Sequence, residues 1–342
     1  MKELIKRLTE TYGPSGREEK IREVIKGEIE GLADEVRVDA MGNLIALKRG
    51  SSPPGPPKLG GGGRKVMLAA HMDEIGIIVT HVDEKGFLRF ARVGGVRPLA
   101  LVGGRAVFAN GTVGTFGLEK REPAEENKIP GLDKLYLDVG AKDKESAPVG
   151  VGDIAGFQRP FTAQGDRLMA KSLDDRIGCA VLIQVMRDLE TSPHDVYFVF
   201  SVQEEVGLRG ATTSAYGIHP DLGISVDVTL TGDTPEARTM AVSLGEGPAV
   251  KVKDGGMLAH PAVKDLLVET AEELGIPYQL EVLAGGTTDA RAIQVSREGV
   301  PAGCLSIPCR YVHTPSEMVD HNDVLNAVKL FVALLSEPIE LG

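Results

Sequence analysis

The chain has 342 residues, 42% hydrophobic and 25% charged, with a net charge of −11. This length exceeds what one hydrophobic core usually serves, so a large domain with a smaller companion is expected. No cluster of Lys and Arg stands against the acidic balance, which argues against nucleic acid as a partner, and no run of 18 apolar residues offers a membrane span. The first residues, MKELIKRLTETYG, lack the continuous apolar stretch of a signal peptide, so the cytoplasm is the expected location. Three cysteines do not make a disulfide framework: Cys179 reads as a packing residue in an apolar helix, and Cys304 and Cys309 as structural.

In chain order, residues 2–10 read as a short helix stopped near Gly13-Pro14. Ser15 followed by Glu18 has the spacing of a capping box, ahead of a helix in IREVIKGEIEGL. Two short strands follow, EVRVD and NLIALK. Residues 51–65, SSPPGPPKLGGGGRK, are too rich in Pro and Gly for regular structure and read as a surface loop. VMLAAH is a buried strand with His71 at its mouth. From 75 to 161 short strand-like pieces (IGIIVTHV, FLRFARV, RAVFA, GTVGTFG, KLYLDV) alternate with Gly-rich turns, which predicts a small β-rich domain.

From about 162 helices and strands alternate: helices at 174–190, 206–216, 261–274, 288–296 and 322–335, and strands in VYFVFSV, LGISVDV, YQLEVL and AGCLSIP. That order predicts an α/β fold with a largely parallel sheet. The simplest division is a discontinuous α/β domain, 1–74 and 162–342, interrupted by the β-rich insert at 75–161.

Four polar clusters stand at the ends of predicted strands or open a helix: His71-Met72-Asp73, Ser172-Leu173-Asp174-Asp175, Gln203-Glu204-Glu205, and Asp227 within SVDV. His313 after RYV is a fifth. A strand-end Asp is ordinarily a turn or cap, and a lone His a satisfied core residue. Two histidines and several carboxylates together point instead to ligands converging at the carboxyl edge of a parallel sheet. Zinc-type ions accept imidazole and carboxylate, and a close pair of ions needs a bridging carboxylate. His71, Asp227 and one Asp of the Asp-Asp pair suit one ion, with His313, Glu205 and the same Asp suiting the other. Asp73, two residues beyond His71 on a strand, faces the same side and can fix the imidazole tautomer. Of Glu204 and Glu205, one can bind metal while the other stays free as a base.

The runs AAHMDEIGIIV, SLDDRIGCA, VQEEVGLRGA, SVDVT, GGTTDA and RYVHTPSEMV together resemble the tetrahedral (TET) aminopeptidases, a family of co-catalytic dinuclear zinc peptidases that includes glutamyl and deblocking enzymes. The similarity covers nearly the whole chain. It implies a zinc-peptidase-like fold: a mixed, largely parallel sheet sandwiched by helices, with an inserted β-rich dimerisation domain at 75–161. It also implies a homododecamer, peptide substrates and two divalent ions per subunit, Zn²⁺ or Co²⁺. Asp174 would bridge the ions, His71 and Asp227 would complete one site, and Glu205 and His313 the other. Glu204 would be the general base on a metal-bridging water and Asp73 the partner of His71. The Asp174–Asp175 peptide bond would be cis. Arg291, where many relatives have a small residue, reads either as a solvated helix-face charge or as a cation in the specificity pocket.

Two other enzyme classes fit parts of this pattern. A carboxylate-pair glycosidase uses the acids but leaves His71 and His313 idle. A metal-dependent hydrolase of other small amides, such as N-acyl amino acids, would share the ligands and differ only in substrate. A non-enzymatic scaffold with structural metals leaves a free Glu204 unexplained.

Overall fold

Two hydrophobic patterns divide the chain, and the computed structural model, which describes residues 1–51, 63–120 and 128–341, gives each its own main core. The first segment contributes α1 (Lys2–Glu10), α2 (Glu19–Glu28), β1 (Glu35–Val38), β2 (Leu44–Lys48) and β3 (Lys65–His71). A barrel follows, made of β4 (Gly76–Val82), β5 (Leu88–Val93), β6 (Arg105–Phe108), β7 (Val113–Leu118), β8 (Leu135–Asp138) and β9 (Ile154–Phe157). The chain returns through β10 (Thr162–Gln164), β11 (Arg167–Ala170) and α3 (Leu173–Asp188). Then come β12 (Asp195–Ser201), α4 (Arg209–Ile218), β13 (Leu222–Thr229), β14 (Ala249–Lys253) and α5 (Pro261–Glu273). The last elements are β15 (Gln279–Val282), α6 (Asp289–Gln294), β16 (Ala302–Arg310), β17 (Glu317–Asp320) and α7 (His321–Ser336).

The large sheet runs β1-β2-β12-β3-β13-β16-β17-β11-β10, with β14 and β15 added beside β16. Its centre is parallel: β12 with β3, β3 with β13, and β13 with β16. Such strands are covered on both faces, and their side chains show it. On β3, Val66, Leu68 and Ala70 enter the main core, while Met67 and Ala69 pack into a second cluster on the opposite face. On β12, Val196, Phe198 and Phe200 enter the main core, and Val199 turns to the other side. Period-2 alternation here sorts residues between two apolar layers rather than between core and water. The fold is thus a mixed, centrally parallel sheet with helices, as the alternation of elements predicts.

Antiparallel strands β4-β5-β8-β7-β6-β9 close the barrel, which therefore has no free sheet edge. Phe90, Phe116 and Phe157 fill its interior, with ring centroids 5.3 Å apart for the first pair and 6.2 Å for the second.

Several expectations change. The Ser15–Glu18 pair is not a capping box: α2 has no side-chain cap, and the Ser15 hydroxyl donates to Asp73 instead. That helix stops at Glu28, and the fourth begins at Arg209 rather than 206, because Glu205 to Leu208 form the turn beyond β12. Short strands β10, β11, β14 and β17 were not legible from periodicity. The surface-loop reading of 51–65 falls mostly on residues 52–62, outside those described. All three cysteines are free and buried. Among the described residues no helix is long and apolar enough to cross a membrane.

Candidate metal centre

Parallel pairing brings the polar clusters to one edge. Ser201 on β12 stands opposite His71 on β3, so the Gln203–Glu205 segment leaves its strand beside the imidazole. β13 pairs Ser225 with Ala69, so Asp227 and His71 each lie two residues further along adjacent strands. His313 lies between β16 and β17, and Asp174 in the first turn of α3. The Asp174–Asp175 bond is cis.

Asp174 is the centre of the cluster. One carboxylate oxygen lies 3.0 Å from His71 Nε2, and the other 3.3 Å from His313 Nε2. His313 Nε2 is also 3.3 Å from Glu205 Oε2. Two groups of donors result, His71-Asp174-Asp227 and Asp174-Glu205-His313, each with ligand atoms within 4.8 Å of one another. These sets contain only imidazole nitrogen and carboxylate oxygen, the chemistry a zinc-type ion takes. Glu205 Oε1 is buried with no hydrogen-bond partner among the described residues. A buried carboxylate oxygen left without a donor is costly, so the residues present fit a cation.

The electrostatics describe a site built for positive charge. Burial pulls the His71 imidazole down, but the carboxylates of Glu204, Asp174 and Asp73 outweigh it and hold it well above its usual value. Burial likewise opposes protonation of His313, yet Asp174 and Glu205 push it up to about 11. Asp227 goes well above the carboxylate range because burial and the Asp174 charge both penalise its ionised form. Asp174 goes below it, since the two imidazoles overcome its burial.

Glu204 stands next to the centre, its Oε2 3.8 Å from His71 Nε2. Burial pushes its carboxyl well above the usual range, against the His71 charge and with help from Asp227, Asp289 and Glu205. Asp73 Oδ1 lies 3.4 Å from His71 Nδ1, and the Asp73 backbone carbonyl 3.2 Å from the same nitrogen. Asp73 also accepts the backbone N–H groups of Glu204 at 3.0 Å and Glu205 at 3.2 Å.

Several residues of the site carry no signal that the sequence reading used. Glu317 accepts the backbone N–H of Asp174 and of His313, at 2.9 Å each. It lies four residues after His313, in the same RYVHTPSEMV run, where that spacing was the available clue. Buried Glu74 accepts from Lys171 at 2.6 Å, from Gly13 N–H at 3.0 Å and from the Ser172 hydroxyl, locking the approach to α3. Asp289 accepts from Ser201, and burial pushes its carboxyl up to about 6. Ser172, Gln203, Leu208 and His313 all have positive φ without being glycine, so strained backbone lies in the loops that carry the candidate ligands. From the barrel, Gly94 (φ +77) approaches Glu205, and a Cβ on Gly95 would collide with the His313 ring.

The cluster opens into a cavity of about 480 Å³, walled by Gly285–Thr288 and carrying Arg97 and Arg238. Arg291 is exposed on α6.

Residues 42–330 match the M42 glutamyl aminopeptidase family model. A lysyl aminopeptidase of Pyrococcus furiosus is 38% identical, with 98% of this chain and 96% of the relative covered. Among solved structures, an aminopeptidase of the archaeon Desulfurococcus kamchatkensis is 41% identical with a TM-score of 0.91, covering 99% of this chain and 95% of that one. The TET1 peptidase of Pyrococcus horikoshii, described as assembling into a tetrahedron or a large octahedral shell, is 34% identical with a TM-score of 0.84 over 98% of this chain and 99% of that one.

Proposed function

The chain belongs to the M42 glutamyl aminopeptidase family, and from that premise we propose how its residues divide the work. It is a metal-dependent aminopeptidase, an enzyme hydrolysing peptide bonds from the N-terminal end. His71, Asp174 and Asp227 would hold one divalent ion and Asp174, Glu205 and His313 a second, with zinc or cobalt the ions that suit the donors. The ions would polarise the scissile carbonyl and make water a better nucleophile at neutral pH.

The chain's own residues supply the rest. Glu204, its Oε2 3.8 Å from His71 Nε2, takes a proton from the attacking water and returns it to the departing amine. Asp73 fixes the His71 ring through Nδ1 and, through two backbone N–H groups, the segment that carries the base. The carboxylates around the centre would receive the free α-amine of the peptide, which accounts for removal of N-terminal residues. Residues 75–161 are the dimerisation domain in this reading, joining subunits into a homododecamer in the cytoplasm. Its support is the likeness to one solved structure described as a dodecamer and to another described as assembling into a tetrahedron or a large octahedral shell.

The observation that carries the proposal is Asp174, whose two oxygens face two imidazoles that each belong to a separate donor group. The test is to strip the protein with a chelator, then assay a panel of aminoacyl amides after adding Zn²⁺, Co²⁺ or Mn²⁺. Restoration by metal is expected; turnover that survives chelation would remove the metals from the mechanism.

A further inference from the structure

The Ser-x-x-Glu pattern at 15–18 has a use other than capping. Three consecutive backbone N–H groups after β12 all end on carboxylate oxygens. Gln203 donates to Glu18 Oε1 at 3.2 Å, Glu204 to Asp73 Oδ1 at 3.0 Å, and Glu205 to Asp73 Oδ2 at 3.2 Å. Both acceptors are held from the 13–18 segment. Ser15 Oγ donates to Asp73 Oδ2 at 2.6 Å, and Gly16 N–H donates to Glu18 Oε1 at 2.7 Å. The segment is itself anchored, since Ser15 N–H donates to the Glu74 carbonyl and Glu74 N–H to the Gly13 carbonyl, each at 3.1 Å. Ser15 and Glu18 are both buried, at 4% and 5% exposure, although they lie between two surface helices.

We propose that Ser15 and Glu18 are positioning residues for the reaction: they hold the Gln203–Glu205 backbone, and through it aim the Glu204 carboxylate. The inference rests on Glu204 being the base. Its physical basis is the left-handed backbone at Gln203 (φ 54), a conformation unfavourable for a residue with a side chain. A free loop would relax from it; the three N–H acceptors oppose that relaxation. Neither Ser15 nor Glu18 belongs to either donor group, so they act on the direction of the base and not on ligation. The part that matters in Glu18 is an oxygen acceptor. Burial and the Asp73 charge push its carboxyl up to about 7, and a protonated carboxyl or an amide still offers one accepting oxygen.

The experiment compares Glu18→Ala, Glu18→Gln and Ser15→Ala in the metal-loaded protein. Its readouts are kcat, KM, metal content, melting temperature and hydrogen exchange of the amides at 203–205. Misplacing a catalytic group by about 1 Å can cost about 10²-fold, so Glu18→Ala should lower kcat by roughly 10- to 100-fold. KM and metal content should stay near the parent, and the 203–205 amides should exchange at least about tenfold faster. Glu18→Gln should restore kcat to within about threefold, because its amide oxygen accepts the same two N–H groups. Ser15→Ala should speed exchange at 204 and 205 and lower kcat without changing KM.

Parent-like kcat and exchange in folded Glu18→Ala would overturn the proposal. So would Glu18→Gln falling as far as Glu18→Ala, which would make charge the operative property. If Glu18→Ala does not fold, Ser15→Ala decides, and parent values for it would overturn the proposal equally. Retained turnover in Glu204→Gln would instead sink the base assignment, while the exchange data would still report whether Glu18 holds the loop.

Discussion

The Glu317 carboxylate accepts the backbone N–H of Asp174 at 2.9 Å, so a side chain from β17 fixes the residue shared by both donor groups. Its other oxygen takes the N–H of His313, also at 2.9 Å, and Glu317 itself is buried. One carboxylate therefore spaces two proposed ligands that lie far apart in the chain. Replacing Glu317 with Ala should weaken metal binding by about 10–100-fold, the usual cost of losing such a supporting partner. Competition titration of zinc against a chromophoric chelator measures this; an unchanged Kd would show that Asp174 and His313 are held by other means.

Glu204→Gln keeps the size and shape of the side chain but cannot accept a proton. General-base catalysis contributes about 10²–10⁴-fold, and kcat should fall by that factor while metal content stays at the parent level. Retention of most of the kcat would end the assignment.

The barrel reaches the site at Gly95, where a methyl group would overlap the His313 ring. Gly95→Ala should displace His313 and lower metal affinity at the Asp174-Glu205-His313 group more than at the other. Stepwise metal titration separates the two groups. Equal weakening of both, or of neither, contradicts the close approach.

Away from the centre, Arg310 donates to both oxygens of Asp233, at 3.0 and 2.7 Å. Burial alone would raise the Asp233 carboxyl, but the Arg310 hydrogen bonds outweigh it and hold it well below its usual value. A carboxyl depressed in the folded state stabilises the fold above its unfolded pKa of about 3.9, and that contribution is lost as pH falls through the folded value. Asp233→Asn should therefore be less stable than the parent at pH 7, with the gap narrowing below about pH 4. Urea melts across that range give the comparison; a gap constant with pH would exclude the ion pair as its source.

Self-association predicts a solution mass near twelve times the 36.3 kDa of one chain. Light scattering at micromolar concentration provides the measurement. A monomer would contradict the assembly, and a dimer would leave only its first stage.

The centre of the fold was legible because buried parallel strands are near-continuous apolar runs that end in or run straight into polar residues, as VMLAAH ends in His71 and VYFVFSV leads into Gln203. The candidate ligands were legible for the same reason, since strand ends mark the sheet edge where the side chains meet. Strand β17 was not, being four residues long and recruited by pairing with β11 and β16 rather than by its own pattern. Glu317 was missed with it, because its partners are backbone N–H groups that no side-chain pattern advertises. Ser15 and Glu18 were misread because a cap and a tertiary anchor use the same residue types, and only the distant Asp73 and Gln203 distinguish them.

The proposed ligands run from His71 to His313, and β3, which carries the first of them, pairs in parallel only with strands from beyond residue 194. The barrel, by contrast, closes with partners from its own stretch of chain. On the ribosome, local pairings of this kind form early and long-range parallel ones late. The barrel can thus be complete while the chain is still being made, whereas the second donor group lacks its imidazole until residue 313 has emerged. A nascent chain that stops short of residue 313 can therefore hold the finished barrel while the proposed second donor group is still incomplete.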